Sequence, residues 1–140
     1  MILKEIGKIK SPYKAKGEAP RQGKLSKETM ILEILPEFRD AMHGLEEGHD
    51  IVVIYWGDRA DRTALRTVPP GRDREYGVFA TRSPNRPNPL ALNVAKIISI
   101  DEDKLEVVGL DALDNSPLLD IKIYIPAMDS LETEKDEQKS

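Results

Sequence analysis

Apolar residues along this chain come in short runs separated by polar turn signals, and no run keeps a helical period for long. Ile2 to Ile9 alternates loosely and predicts a first strand that ends at Ser11-Pro12. Lys14 to Lys27 is a polar loop carrying Gly17, Pro20 and Gly23, and Thr29 to Leu35 is apolar enough for a second strand. Pro36 suits the first position of a short helix, with Glu37 in its first turn and Gly44 near its end. Ile51 to Trp56 is continuous, apolar and rich in β-branched residues, which predicts a buried strand. Arg62 to Val68 is a weaker strand candidate, stopped by Pro69-Pro70-Gly71, and Val78 to Thr81 predicts another short one. Leu90 to Ile100 and Leu105 to Leu110 pair naturally across the polar turn Asp101-Glu102-Asp103-Lys104, and Leu118 to Ile125 closes the series. Many short strands and one short helix predict an all-β fold, a single closed β-barrel over residues 1–128. Asp129 to Ser140 has charge without apolar periodicity and reads as a disordered acidic tail.

A length of 140 residues suits one domain with a modest core. The absence of cysteine excludes disulfides, thiolate zinc sites and cysteine nucleophiles. His43 and His49 are the only histidines; both read as surface residues, and no metal site is expected. No apolar run reaches membrane-spanning length and Met1 to Lys10 lacks a signal-peptide profile, so a cytoplasmic protein is expected. The net charge of -4 argues against a strongly basic nucleic-acid binder. The distribution softens that argument. Acid gathers in Thr133 to Ser140 and at Glu46-Glu47, whereas Arg59, Arg62, Arg66, Arg72, Arg74, Arg82 and Arg86 fall within one stretch. Arginine suits phosphate forks and base stacking. Beside Asp58, Asp61, Asp73 and Glu75 the same residues also suit surface ion pairs, so charge alone leaves both roles open.

The run GVFATRSPNRPNPLALN, Gly77 to Asn93, carries the most chemistry. Pro84, Pro87 and Pro89 cannot donate to a sheet ladder, so the segment must be a stiff loop. Two guanidiniums on it, Arg82 and Arg86, form a pre-organised clamp for carboxylate, phosphate or a stacked base. Asp111 and Asp114 follow a strand and precede Pro117, a spacing that fits either an Asx turn or a pair of acceptors. Trp56 reads as core rather than as a stacking platform. No G-x-G-x-x-G occurs, so a doubly wound nucleotide site is not expected.

GVFATRSPNRPNPLAL resembles the central motif of the TrmO family, small S-adenosylmethionine-dependent tRNA methyltransferases. Two further stretches match in order: IGKIKSPYKAKGEAPRQG, Ile6 to Gly23, and GLDALDNSPLLDIKIYIP, Gly109 to Pro126. The resemblance runs from about Ile6 to Asp129. It implies a β-barrel that dimerises with its cofactor pocket near the dimer interface, and S-adenosylmethionine as the cofactor. By resemblance the cofactor contacts are Pro20, Arg21 and Gln22 of the first loop, Arg82, Leu92, and Asp111, Ala112, Leu113 and Asp114. The implied reaction is N6 methylation of threonylcarbamoyl-adenosine at position 37, beside the anticodon of threonine tRNA. An unpaired loop base can be splayed out and read on its edge. Arg86, Arg72 and Arg74 are then expected at phosphates of the anticodon stem-loop. No residue is assigned as a catalytic base, because transfer from a reactive sulfonium demands alignment and a dry pocket first.

The chain departs from the family pattern at four places. Gly57-Asp58 stands where a histidine is usual, Ala91 where N-P-I-G has glycine, Asn115-Ser116 within D-G-T-P, and Ile123 within D-I-K-P-Y. The alternative these departures raise is a non-catalytic module that binds S-adenosylmethionine as a sensor or interaction partner.

Overall fold

In the computed structural model, which describes residues 1–19 and 27–131, the apolar runs become strands. They are β1 (Gly7–Lys10), β2 (Thr29–Ile34), β3 (Asp50–Trp56), the short β4 (Arg66–Thr67) and β5 (Tyr76–Gly77), β6 (Leu90–Asp101), β7 (Lys104–Val108) and β8 (Ser116–Ile123). Six of them close an antiparallel barrel in the order β1-β2-β7-β6-β3-β8, while β4 and β5 pair separately. The fold is mainly β, as expected. Alternation decides which side chains fill the barrel: Met30, Leu32 and Ile34 from β2, Ile51, Val53 and Tyr55 from β3, Ala95 and Ile97 from β6, Leu105 and Val107 from β7.

Strand direction alternates around the closed barrel, so every connection leaving an upward strand emerges at the same end. Those connections are 11–28 after β1, 57–89 after β3 and 109–115 after β7. The three stretches that resemble the family therefore meet at one mouth, called the upper mouth below. The lower end holds the 3₁₀ helix Pro36–Met42 and the tight turn between β6 and β7.

Several boundaries differ from expectation. The first strand begins only at Gly7, although Ile6 still donates to the Leu118 carbonyl and accepts from the Leu35 N–H, both at 2.8 Å. Of Arg62 to Val68, only Arg66–Thr67 pairs, forming with Tyr76–Gly77 a small hairpin off the barrel. Val78 to Ala80 is a 3₁₀ turn rather than a strand, since Val78 is drawn inward while its neighbours face solvent. Pro126–Asp129 forms a single helical turn, α1, with Asp129 Oδ2 accepting the Ile125 N–H. Residues 132–140 of the expected tail lie outside the described residues, as do Pro20, Arg21 and Gln22. No helix among the described residues is long and apolar enough to cross a membrane.

Candidate functional site

The proline loop is stiff for identifiable reasons. Pro89 is fully buried and its carbonyl accepts the Gly57 N–H at 2.8 Å, tying the loop's end to the end of β3. Arg86 is turned into the loop: its Nη2 donates to the Val78 and Thr81 carbonyls at 2.5 and 2.6 Å and its Nε to Ser83 at 2.8 Å. Arg62 acts similarly, donating from Nε to the Pro87 carbonyl at 2.8 Å while its guanidinium lies 4.9 Å from the centre of the Trp56 ring. The arginines of this region thus divide. Arg59, Arg62 and Arg86 hold loop carbonyls, whereas Arg66, Arg72, Arg74 and Arg82 face solvent. Only Arg59–Asp58 at 3.7 Å and Arg66–Glu75 at 3.3 Å form ion pairs among these described arginines.

Three expected cofactor residues come together on the barrel rim. Arg82 Nη2 donates to the Leu92 carbonyl at 3.3 Å, and its positive charge acts on the carboxyl of Asp111. Asp111 also receives the Tyr55 hydroxyl hydrogen at 2.5 Å, from a side chain buried in the barrel. Burial pushes the Asp111 carboxyl above its ordinary range, against the pull of the Tyr55 and backbone hydrogen bonds and of Arg82. Tyr55 is pushed up too, by burial first and the neighbouring Asp111 charge second, so it keeps its proton and serves as donor. A step in the β3–β8 register between Ile54 and Tyr55 sits beside this contact and re-aims the tyrosine.

The remainder of the β7–β8 loop is a clasp. Asp114 accepts the Ser11 N–H at 2.8 Å through Oδ1 and the Lys14 ammonium at 3.0 Å through Oδ2. These two contacts, Ser11 first, hold its carboxyl below the ordinary range. The Ser11 hydroxyl donates to the Ala112 carbonyl at 2.7 Å, and the Leu113 carbonyl accepts the Ser116 hydroxyl. Ala112 itself is buried. The first loop is thereby fastened to the β7–β8 loop at Ser11 and Lys14. Gly109 starts the turn at a φ of +114°, and a Cβ there would come within 2.9 Å of the Val94 carbonyl oxygen. Asn115 takes the left-handed conformation that its residue type tolerates, at φ 68°.

Among the described residues, two buried side-chain atoms lack a hydrogen-bond partner, and both lie toward this mouth: Asn93 Oδ1 and Arg59 Nη1. Asn93 stands on β6 opposite Val53, one inward step from the Tyr55–Ala91 pair. An orphaned acceptor and an orphaned donor are the kind of polar groups a ligand would complete. Sequence reasoning missed Tyr55 and Asn93. Tyr55 looked like one more apolar member of a buried strand, and Asn93 appeared only as the end of the proline run. Of the expected RNA contacts, Arg72 and Arg74 flank the Tyr76 ring at 5.9 and 4.3 Å on the β4–β5 hairpin.

Residues 8–130 match the model of the tRNA-methyltransferase O N-terminal domain. The chain is 50% identical over 129 residues to the S-adenosyl-L-methionine-binding protein of Archaeoglobus fulgidus, covering 92% of this chain and 93% of that one. The crystal structure of TrmO from Pseudomonas aeruginosa is similar with a TM-score of 0.76 at 31% identity, covering 94% of this chain. A further TrmO crystal structure gives the same TM-score at 33% identity. The chain spans 58% of the length of each of these crystallised chains, a little over half.

Proposed function

The chain belongs to the tRNA-methyltransferase O family, and from that premise we propose that it transfers a methyl group from S-adenosylmethionine to N6 of threonylcarbamoyl-adenosine at position 37 beside the anticodon of threonine tRNA. The observation that carries the cofactor part is the meeting of Arg82, the Leu92 carbonyl and Asp111 at the mouth where the three family motifs converge. The donor set fits the ligand. A guanidinium suits a carboxylate, a buried carboxyl suits ribose hydroxyls or an ammonium, and Asn93 Oδ1 and Arg59 Nη1 await partners. Pro20, Arg21 and Gln22 would complete the pocket from the first loop.

When bound, S-adenosylmethionine supplies an electrophilic methyl group on a positively charged sulfur. The chain's own residues bind and align. Asp111 would accept from the cofactor's ribose hydroxyls or its ammonium group. Tyr55 keeps Asp111 oriented by donating to it. The clasp on Asp114 anchors Ser11 and Lys14 of the first loop to the β7–β8 loop. Catalysis on this reading is mostly positioning, and no side chain is assigned as a base.

Arg72 and Arg74 carry exposed guanidiniums on a projecting hairpin, which supports contact with phosphates of the anticodon stem-loop. Arg86 is spent mainly on its own loop, so its contribution to RNA would be to keep that loop rigid. A homodimer is supported by an exposed apolar row on the outside of β6, Leu90, Leu92 and Val94, beside Trp56, Ile54 and Val52 of β3. Leu92 belongs to this row, which would set the cofactor site against the partner subunit. Such a protein would act in the cytoplasm, with tRNA. The second reading, a binding module without transfer, draws on the Archaeoglobus fulgidus relative, which is named for binding.

The deciding experiment incubates the protein with S-adenosylmethionine and tRNA from a host lacking this methylation, then analyses the nucleosides by mass spectrometry. Methylated threonylcarbamoyl-adenosine is expected. Calorimetric binding of S-adenosylmethionine with no methylated nucleoside would instead establish the binding module.

A further inference from the structure

Phe79 is 88% exposed, whereas every other aromatic side chain of the described residues is at least partly covered. Its exposure does not come from a loose segment. Val78 before it is buried, and the Val78 N–H bonds to the Leu65 carbonyl at 3.0 Å. The Val78 carbonyl accepts from the Thr81 N–H, the Thr81 hydroxyl and Arg86 Nη2, and the same Arg86 nitrogen also holds the Thr81 carbonyl. The 3₁₀ turn Val78–Ala80 is therefore braced from both sides, and it presents a benzyl ring to solvent on a fixed backbone.

The chemistry around the ring selects an occupant. Arg82, three residues on in the chain, sits at the Leu92 carbonyl and acts on Asp111, so the braced turn that carries Phe79 leads directly into a candidate cofactor residue. Three residues earlier, Tyr76 lies under the guanidinium of Arg74 at 4.3 Å, with Arg72 at 5.9 Å. The segment from Arg59 to Arg86 holds seven arginines against Asp61, Asp73 and Glu75, within a chain whose net charge is -4. A flat apolar face carried by an arginine-rich stretch of chain fits a partner that is itself flat, apolar on its faces and anionic along its backbone. That is an unpaired nucleotide.

We propose that Phe79 is the platform on which the unpaired anticodon-loop base carrying the acceptor nitrogen stacks, with Arg86 keeping the platform rigid. The inference rests on the reading of the chain as a tRNA methyltransferase and adds to it the side chain that receives the splayed base. Stacking on an aromatic face brings the base into register with the Arg82–Asp111 end of the mouth without reading its identity, which leaves recognition to the edge contacts.

The test compares wild type, Phe79→Leu and Phe79→Trp in methyl transfer to tRNA, with S-adenosylmethionine affinity by calorimetry and solution mass by light scattering. Phe79→Leu keeps an apolar side chain and loses the ring face; its kcat/KM for tRNA should fall about tenfold or more. Phe79→Trp should restore most of that loss, and cofactor affinity and solution mass should not change in either variant. Transfer by Phe79→Leu at the wild-type rate overturns the platform and leaves the methyltransferase reading standing. A halved solution mass for Phe79→Leu also overturns it, assigning the ring to a second copy of the chain. Absence of transfer by the wild-type protein overturns the methyltransferase reading, and the platform with it.

Discussion

At its lower end the barrel is closed by the segment carrying the 3₁₀ helix and by the tight β6–β7 turn, while at its upper end the same six strands are joined by loops full of polar groups. The lower connections do one thing. Phe38, Met42 and Leu45 pack onto the core, and the Ile34 N–H bonds to the Asp103 carbonyl across the turn. An open groove between the 3₁₀ helix and Ile100 lies there, yet it reaches no residue of the three motifs. The upper mouth buries what the lower end excludes: a tyrosine hydroxyl on a carboxyl, an unpartnered amide oxygen and an unpartnered guanidinium nitrogen. Burying such groups costs stability, and they gather at the mouth that holds the candidate site.

The largest effect should come from damaging the end that only stabilises. Leu105 is fully buried and pairs with Leu32 and Ile100 near the lower turn. Leu105→Ala should lower the unfolding free energy in urea by about 2–5 kcal/mol, while S-adenosylmethionine affinity of the folded protein stays the same. At the mouth the pattern should reverse. Arg82→Ala should weaken cofactor binding at least tenfold, about 1.4 kcal/mol, with little change in stability. Unchanged calorimetric affinity would remove Arg82 from the site.

Two smaller effects separate the carboxyls of the β7–β8 loop. The Asp114 carboxyl is held low, so its contribution is present above the unfolded carboxylate range and lost as pH falls through its folded value. Asp114→Asn should therefore cost on the order of 1 kcal/mol at neutral pH, with the two stability curves meeting in acid. The Asp111 carboxyl is pushed up, so its contribution is present below the unfolded range and lost as pH rises through its folded value. Asp111→Asn should be at least as stable as wild type at neutral pH, and cofactor affinity should fall. A variant less stable than wild type at pH 7 would contradict the assignment of burial as the dominant influence on Asp111.

Much of this contrast was legible in the chain. Alternation in Thr29–Ile34 and Lys104–Val108, and the continuous run of Asp50–Trp56, announced strands whose inward residues form the core. The polar turn between Asp101 and Lys104 announced the β6–β7 hairpin. Arg82, Leu92 and Asp111 were picked out by motif, and they do meet. Arg86 was singled out beside Arg82 as an equal cation, but one guanidinium faces solvent and the other is spent on three carbonyls. Val78 to Thr81 looked like a strand because apolar content does not say whether a partner strand is within reach.

Local pattern records whether a side chain is to be buried, and that was enough for strands, turns and a barrel. It carries no record of which buried group faces which. Tyr55 and Asp111 are 56 residues apart, and their contact exists because antiparallel closure brings the ends of β3 and β7 to the same mouth. The same closure leaves Asn93 without a partner and holds Asp111 in a setting that favours its neutral form. Periodicity is a property of neighbours in the chain; desolvation and pairing are properties of neighbours in space, and only the closed barrel settles those.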